Sequence, residues 1–281
     1  MVIRFKRRRI LLALVLLLLC AWLLRRPASD RNWAEDQAVL SWAQIDGDLV
    51  RLHNIRNFTY CSLHEYTPGY YDKTFDLGQI LNVCYVVEHF SDWKGAAHTL
   101  LTFEFKNGDA PGEREFLAVS VEIRKEKGET FSALKGLLRN YELMYVIADE
   151  NDVIKLRTNY RKNPVYLFPV NATREQGKAL FLDMIKRANK LRRRPEFYNT
   201  VTNTCTTNIV RHVNRMSPEH IPFNFRVLLP GYSGWLAYEL GLLDKSLPFK
   251  QLKERSLITD RAQKYGDGDD FSQTIRTADK R

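Results

Sequence analysis

The chain has 281 residues, 44% hydrophobic and 12% aromatic, enough for the core of one large domain or two small ones. Its net charge of +10 sits partly in clusters, Arg4 to Arg9, Arg25-Arg26 and Arg192-Arg193-Arg194. No nucleic-acid motif or aromatic-basic platform accompanies them, and no HExxH, CxxC, P-loop, dinucleotide fingerprint or GxSxG occurs, so neither nucleic acid, metal nor cofactor is expected.

The first two basic clusters flank an apolar run from Ile10 to Leu24. The run predicts a basic cytoplasmic segment over 1–9 and an uncleaved transmembrane signal anchor over 10–24. It is shorter than the roughly 20 residues of a usual span, but flanking arginines can snorkel. A cleavable signal peptide is the competing reading; only Arg25, Arg26 and Pro27 follow, with no small-x-small site. Leu19 before Cys20 argues against a lipoprotein site. The charge bias holds the N-terminus in the cytoplasm and the rest of the chain outside it, next to membrane lipids.

Residues 27–50 read as helical from Trp33, Ala38, Leu40, Trp42 and Ile45. Residues 53–61 read as a strand and 62–76 as a loop. In 75–90 helix and strand compete, and the β-branched run favours a strand ending near His89. A hairpin follows, 98–105 and 115–126, around Asn107-Gly108 and Pro111-Gly112. Alternation in its second strand separates Leu117, Val119, Val121 and Ile123 from Ala118, Ser120, Glu122 and Arg124. A second hairpin is expected from 141–148 and 153–160, and a further strand over 164–170. Thr173 and Gln176 form a capping-box pattern ahead of a helix that Pro195 ends. Another helix begins near Cys205 and stops at Pro218, and a short one covers 233–243. Beyond about 255 the chain reads as polar and loose.

Outside the apolar run lie Cys61, Cys84 and Cys205. In an oxidising compartment a Cys61–Cys84 disulfide would leave Cys205 as the odd thiol; three buried free cysteines are the alternative. Cys205 follows threonines and asparagines of a helix N-terminus, where unpaired N–H groups and the helix dipole favour a thiolate. The other reading is a buried structural cysteine. His98 opens its strand after Gly95-Ala96-Ala97 and is a candidate base, or a hydrogen-bonded structural histidine. Counting back from a turn near residue 110 pairs Phe103 with Leu117, Leu101 with Val119 and His98 with Glu122. A carboxylate there would orient the imidazole. Ser120 and Arg124 compete if the register slips.

Six stretches, HNIRNFTY (53–60), AAHTLLTFEF (96–105), VSVEIRKEKGE (119–129), YELMYVIADENDVIKLRT (141–158), PEFYNTVTNTCTTNI (195–209) and LPGYSGWLAY (229–238), with DFSQTIR (270–276), resemble the Lnb-type N-terminal periplasmic domain family. The resemblance implies an α+β, permuted papain-like fold, with a central antiparallel sheet and packed helices behind the anchor. It implies a periplasmic thiol-enzyme domain over 28–250, followed by a polar tail over 251–281, in a bacterial inner-membrane protein. Cys205 is the implied nucleophile and His98 the base. Asn203 and Tyr60 are candidate oxyanion or neighbouring groups. Some members carry several C-terminal membrane helices and acylate lipoprotein N-termini; this chain has no hydrophobic C-terminus. The expected activity is therefore acyl transfer or acyl hydrolysis on a lipid or lipoprotein. The alternatives are a cell-wall peptidase or amidase of the same fold, and a non-catalytic envelope binding module.

Overall fold

In a computed structural model, residues 2–108, 112–217, 220–265 and 270–277 of the protein are described. Pro111, the turn near residue 110 and Pro218 lie outside them.

The N-terminal helix α1 (Val2–Leu24) corrects the expected anchor. Among the described residues, no helix is long and apolar enough to cross a membrane. The sequence gives the reason: Arg4, Lys6, Arg7, Arg8 and Arg9 lie in its first turns, and the apolar part from Ile10 onward falls short of a span.

Strands β1 (Trp42–Asp46) and β2 (Leu49–Arg56) take up the C-terminal part of the stretch that reads as helical. The apolar spacing there fits a helix only by coincidence. Gly47, at φ 56°, makes the tight turn between them, and Ala43, Val50 and Leu52 face the core. The expected strand 53–61 is divided between the end of β2 and β3 (Thr59–Tyr60), and the expected loop holds β4 (Tyr66–Thr67) and β5 (Tyr70–Asp76). Next come β6 (Ile80–Glu88), β7 (His98–Lys106) and β8 (Arg114–Arg124). The counted hairpin register is the observed one, with Phe103 opposite Leu117 and Leu101 opposite Val119.

Short helix α2 (Ala133–Leu137) precedes β9 (Glu142–Asp149). The expected second hairpin is absent. Instead α3 (Glu150–Lys155) runs into a π-helical turn, Leu156–Tyr160. Strand propensity loses here because Val153 and Ile154 are buried against the sheet, while Asp152 and Glu150 are tied by Arg56 and Arg276. Strand β10 (Val165–Pro169) leads to α4 (Arg174–Arg193), capped by the Thr173–Gln176 box.

Then follow α5 (Cys205–Met216), α6 (Phe225–Leu228) and α7 (Ser233–Glu239). After α8 (Phe249–Ser256), the segment expected to be loose forms α9 (Thr259–Tyr265) and α10 (Phe271–Thr274). Ile258, Ala262, Phe271 and Ile275 bury there at 1% exposure or less. That is enough apolar surface to hold an otherwise polar segment.

The main sheet runs β1-β2-β9-β8-β7-β6-β10, with β5 also on β2. It is mixed rather than wholly antiparallel, since β2 meets β9 in parallel. Alternate residues feed two cores. On β9, Leu143, Tyr145 and Ile147 face the layer of α4 and α5. Met144, Val146 and Ala148 face α3, α9 and α10. The architecture is α+β, with helices on both faces.

Candidate active site

Three strand ends and one helix start meet at the site. Cys205 is the first residue of α5, and Thr204 caps it. The Thr204 hydroxyl accepts from the Thr207 amide at 3.2 Å, and the Thr207 hydroxyl accepts from the Thr204 amide at 2.7 Å. This reciprocal cap fixes the turn that presents the thiol. Thr206 approaches the sulfur at 3.8 Å and bonds Thr99 at 3.1 Å, joining α5 to β7.

His98, at the start of β7, lies close enough to the Cys205 thiol for each group to shift the other's titration. Its Nε2 lies 2.8 Å from the Ser120 hydroxyl and 3.1 Å from Glu122 Oε1. Ser120 donates to the same Glu122 oxygen at 2.7 Å, so it accepts from Nε2–H. That protonates Nε2 on the side of Ser120 and Glu122. Both residues in competition for the histidine therefore reach it. Arg124 does not; its guanidinium donates to the carbonyls of Gln37 and Ala38.

Behind Glu122 is a group the sequence reading omitted. Arg157, on the π-helical turn and 3% exposed, donates to Glu122 at 2.9 Å and to Glu88 at 2.7 Å. Glu88 is fully buried and pairs with His98 across β6 and β7. It also accepts from Arg161 at 3.3 Å and Asn163 at 2.8 Å. A charged residue directly after the apolar run Val83–Val87 was the available signal, because a buried carboxylate needs partners.

Charge alternates along this row and sets the protonation states. Burial opposes charge on His98, but Glu122 and the Cys205 thiolate outweigh it and push its pKa up to about 10. Burial opposes the Cys205 thiolate as well; the hydrogen bond and charge of His98, helped by Thr99, bring it down to about 7. Glu122, despite burial, is held well below the usual carboxylate range by His98 and Arg157. Both shifts favour the thiolate of Cys205 and the imidazolium of His98.

Two other candidates are not brought to the sulfur. The Asn203 side chain donates to the Phe197 carbonyl at 2.8 Å and accepts from Asn208 at 3.0 Å, bracing the turn. The Tyr60 hydroxyl donates to Asp152 at 3.2 Å, within the separate Arg56–Asp152 pair. The cysteine pairing is also corrected: Cys61 and Cys84 are both free. Cys61 sits exposed in the turn between β3 and β4, whereas Cys84 points from β6 into the buried core on the α9 and α10 side.

Beside the thiol, Tyr85, Leu101 and Thr206 form one end of a cavity that continues along α5 past Ile209 and Val213 to Val227 and Leu236. Its walls are overwhelmingly aliphatic.

No curated protein and no solved structure matches the chain. The Lnb N-terminal periplasmic domain family matches residues 66–231, a span that holds His98, Glu122, Arg157 and Cys205. The chain belongs to that family of the bacterial cell envelope, and its folded domain is periplasmic.

Proposed function

We propose that the protein is a cysteine-nucleophile acyltransferase or acyl hydrolase acting on a lipid or lipoprotein. The observation that carries this reading is the Cys205–His98 pair, with its inverted protonation order, beside an apolar cavity. The thiolate attacks an ester or amide carbonyl; the S–C bond forms and the carbonyl electron pair moves to oxygen. The Cys205 amide, at the first position of α5, would stabilise that oxyanion. Collapse expels the alcohol or amine, which takes its proton from His98, and leaves a thioester. An acceptor amine or water then gives a proton to His98 and attacks the thioester, releasing the thiolate. Histidine precedes cysteine in the chain, as in permuted papain-like hydrolases.

Aliphatic walls favour an acyl chain over a cell-wall peptide. At about 120 Å³ the cavity takes the first carbons of a chain. The burial of Cys205, 7% exposed, favours the other reading, a non-catalytic envelope module. Incubation with phospholipid donors and intact-mass analysis separates the two. An acyl adduct that neutral hydroxylamine removes, and that Cys205→Ala abolishes, is expected. No adduct, or one that survives Cys205→Ala, sinks the enzyme reading.

A further inference from the structure

Exposed aromatic rings gather on one face of the domain. Outside α1, and among the described residues, Phe90, Trp93, Phe223, Phe225, Tyr232 and Trp235 stand on two segments, with Phe131 and Tyr265 elsewhere. Trp93, Phe223 and Phe225 are 59–61% exposed, far beyond what a ring needs to pack against its own fold.

The two segments are built together. The Gly231 amide donates to the Gly95 carbonyl at 3.2 Å. A Cβ at Gly231 would lie 1.8 Å from the Lys94 carbonyl oxygen, so this contact needs glycine. Phe225 and Tyr232 meet edge to face at 6.3 Å, and Trp235 meets Phe249 at 4.8 Å. The rings are thus held outward by a fixed ridge.

Positive charge accompanies them. Lys94, Lys245 and Lys250 are exposed. Lys253 is held below the usual lysine range by burial and by the nearby charge of Lys94, so the two cations are not neutralised locally. The acids on the same segments are Asp92, Asp244 and Glu239; Glu239 is engaged by Arg226 and Trp235, and Asp244 accepts from Ser246. The short helices behind the ridge turn Val227 and Leu236 inward to the cavity that runs to Thr206.

We propose that this ridge, residues 90–95 with α6, α7 and the turn between them, docks on an anionic phospholipid bilayer. Tryptophan, tyrosine and phenylalanine beside lysine suit the headgroup boundary, where rings enter and cations meet phosphate. Its functional meaning rests on the lipid-directed reading of the site, but its test needs no catalysis.

The test uses the full chain with Trp22→Phe, so that α1 carries no reporter. Vesicles of phosphatidylglycerol and phosphatidylcholine with brominated acyl chains are added, and tryptophan fluorescence is followed. Quenching is expected, and it should weaken severalfold in vesicles of phosphatidylcholine alone or in high salt. Adding Trp93→Tyr and Trp235→Tyr should remove most of it, while Trp33 and Trp42 continue to emit; circular dichroism verifies the fold. Absence of quenching, including a case where the ridge captures only a protein, overturns the proposal. So does quenching that survives the double substitution. Either failure leaves the reactivity of Cys205, measured separately, to judge the catalytic reading.

Discussion

His98→Ala removes the group that holds the Cys205 thiol down. With His98 the thiol titrates near 7; without it, burial remains and returns the thiol to its ordinary 9.0 or above. The thiolate fraction at pH 7 then falls from about one half to about 1%, roughly 50-fold. A more basic thiolate is intrinsically more nucleophilic, which restores a factor of about 8 for two pH units. The net prediction is a fall of about 6-fold in Cys205 alkylation at pH 7, with the midpoint moving from about 7 to 9 or higher. Iodoacetamide labelling read by peptide mass spectrometry isolates Cys205 from the other three free cysteines. A midpoint that stays put after His98→Ala would refute the coupling on which the mechanism depends. The same shifts act on stability in opposite directions. The His98 contribution is complete below 6.5 and fades as pH rises through about 10. That of Cys205 is complete above 9.0 and fades as pH falls through about 7.

Glu122→Gln keeps the shape and removes the charge. The His98 titration, followed by NMR, should fall below about 10 and the Cys205 midpoint should rise above about 7, narrowing the ion-pair window from both ends. Arg157→Met strands two carboxylates, one of them fully buried; unfolding by denaturant should show a loss of about 3–5 kcal/mol. Phe271→Ala empties a site 1% exposed and should cost about 3–5 kcal/mol in the same assay if the C-terminal helices belong to the fold.

The sequence carried the strands β7 and β8 and their register, because strict alternation pins register. That register set His98 against Glu122. Thr173–Gln176 and the threonines before Cys205 likewise marked helix starts through local capping, which neighbouring residues decide. The misreadings share a different cause. Val153 and Ile154 have strand propensity, but they pack as helix under the sheet because Asp152 and Glu150 meet Arg56 and Arg276, which lie about a hundred positions away. Local pattern holds no record of such partners. Arg157 was missed for the same reason, since its role exists only once β6, β8 and the π-helical turn come together. Near Trp42, periodicity misled where the Gly47-Asp48 turn was the better guide.

The family match covers 66–231, yet β1 and β2 precede it and α8, α9 and α10 follow it. The matched segment is therefore shorter than the folded domain. A fragment trimmed to the match would retain every residue of the reactive row. It would also bare the edge of β5 and β9 that β2 now covers, and the apolar floor beneath Phe271 and Ile258. Such a piece would be expected to self-associate through its open edge and bared floor, and its inactivity would then say nothing about the chemistry of Cys205.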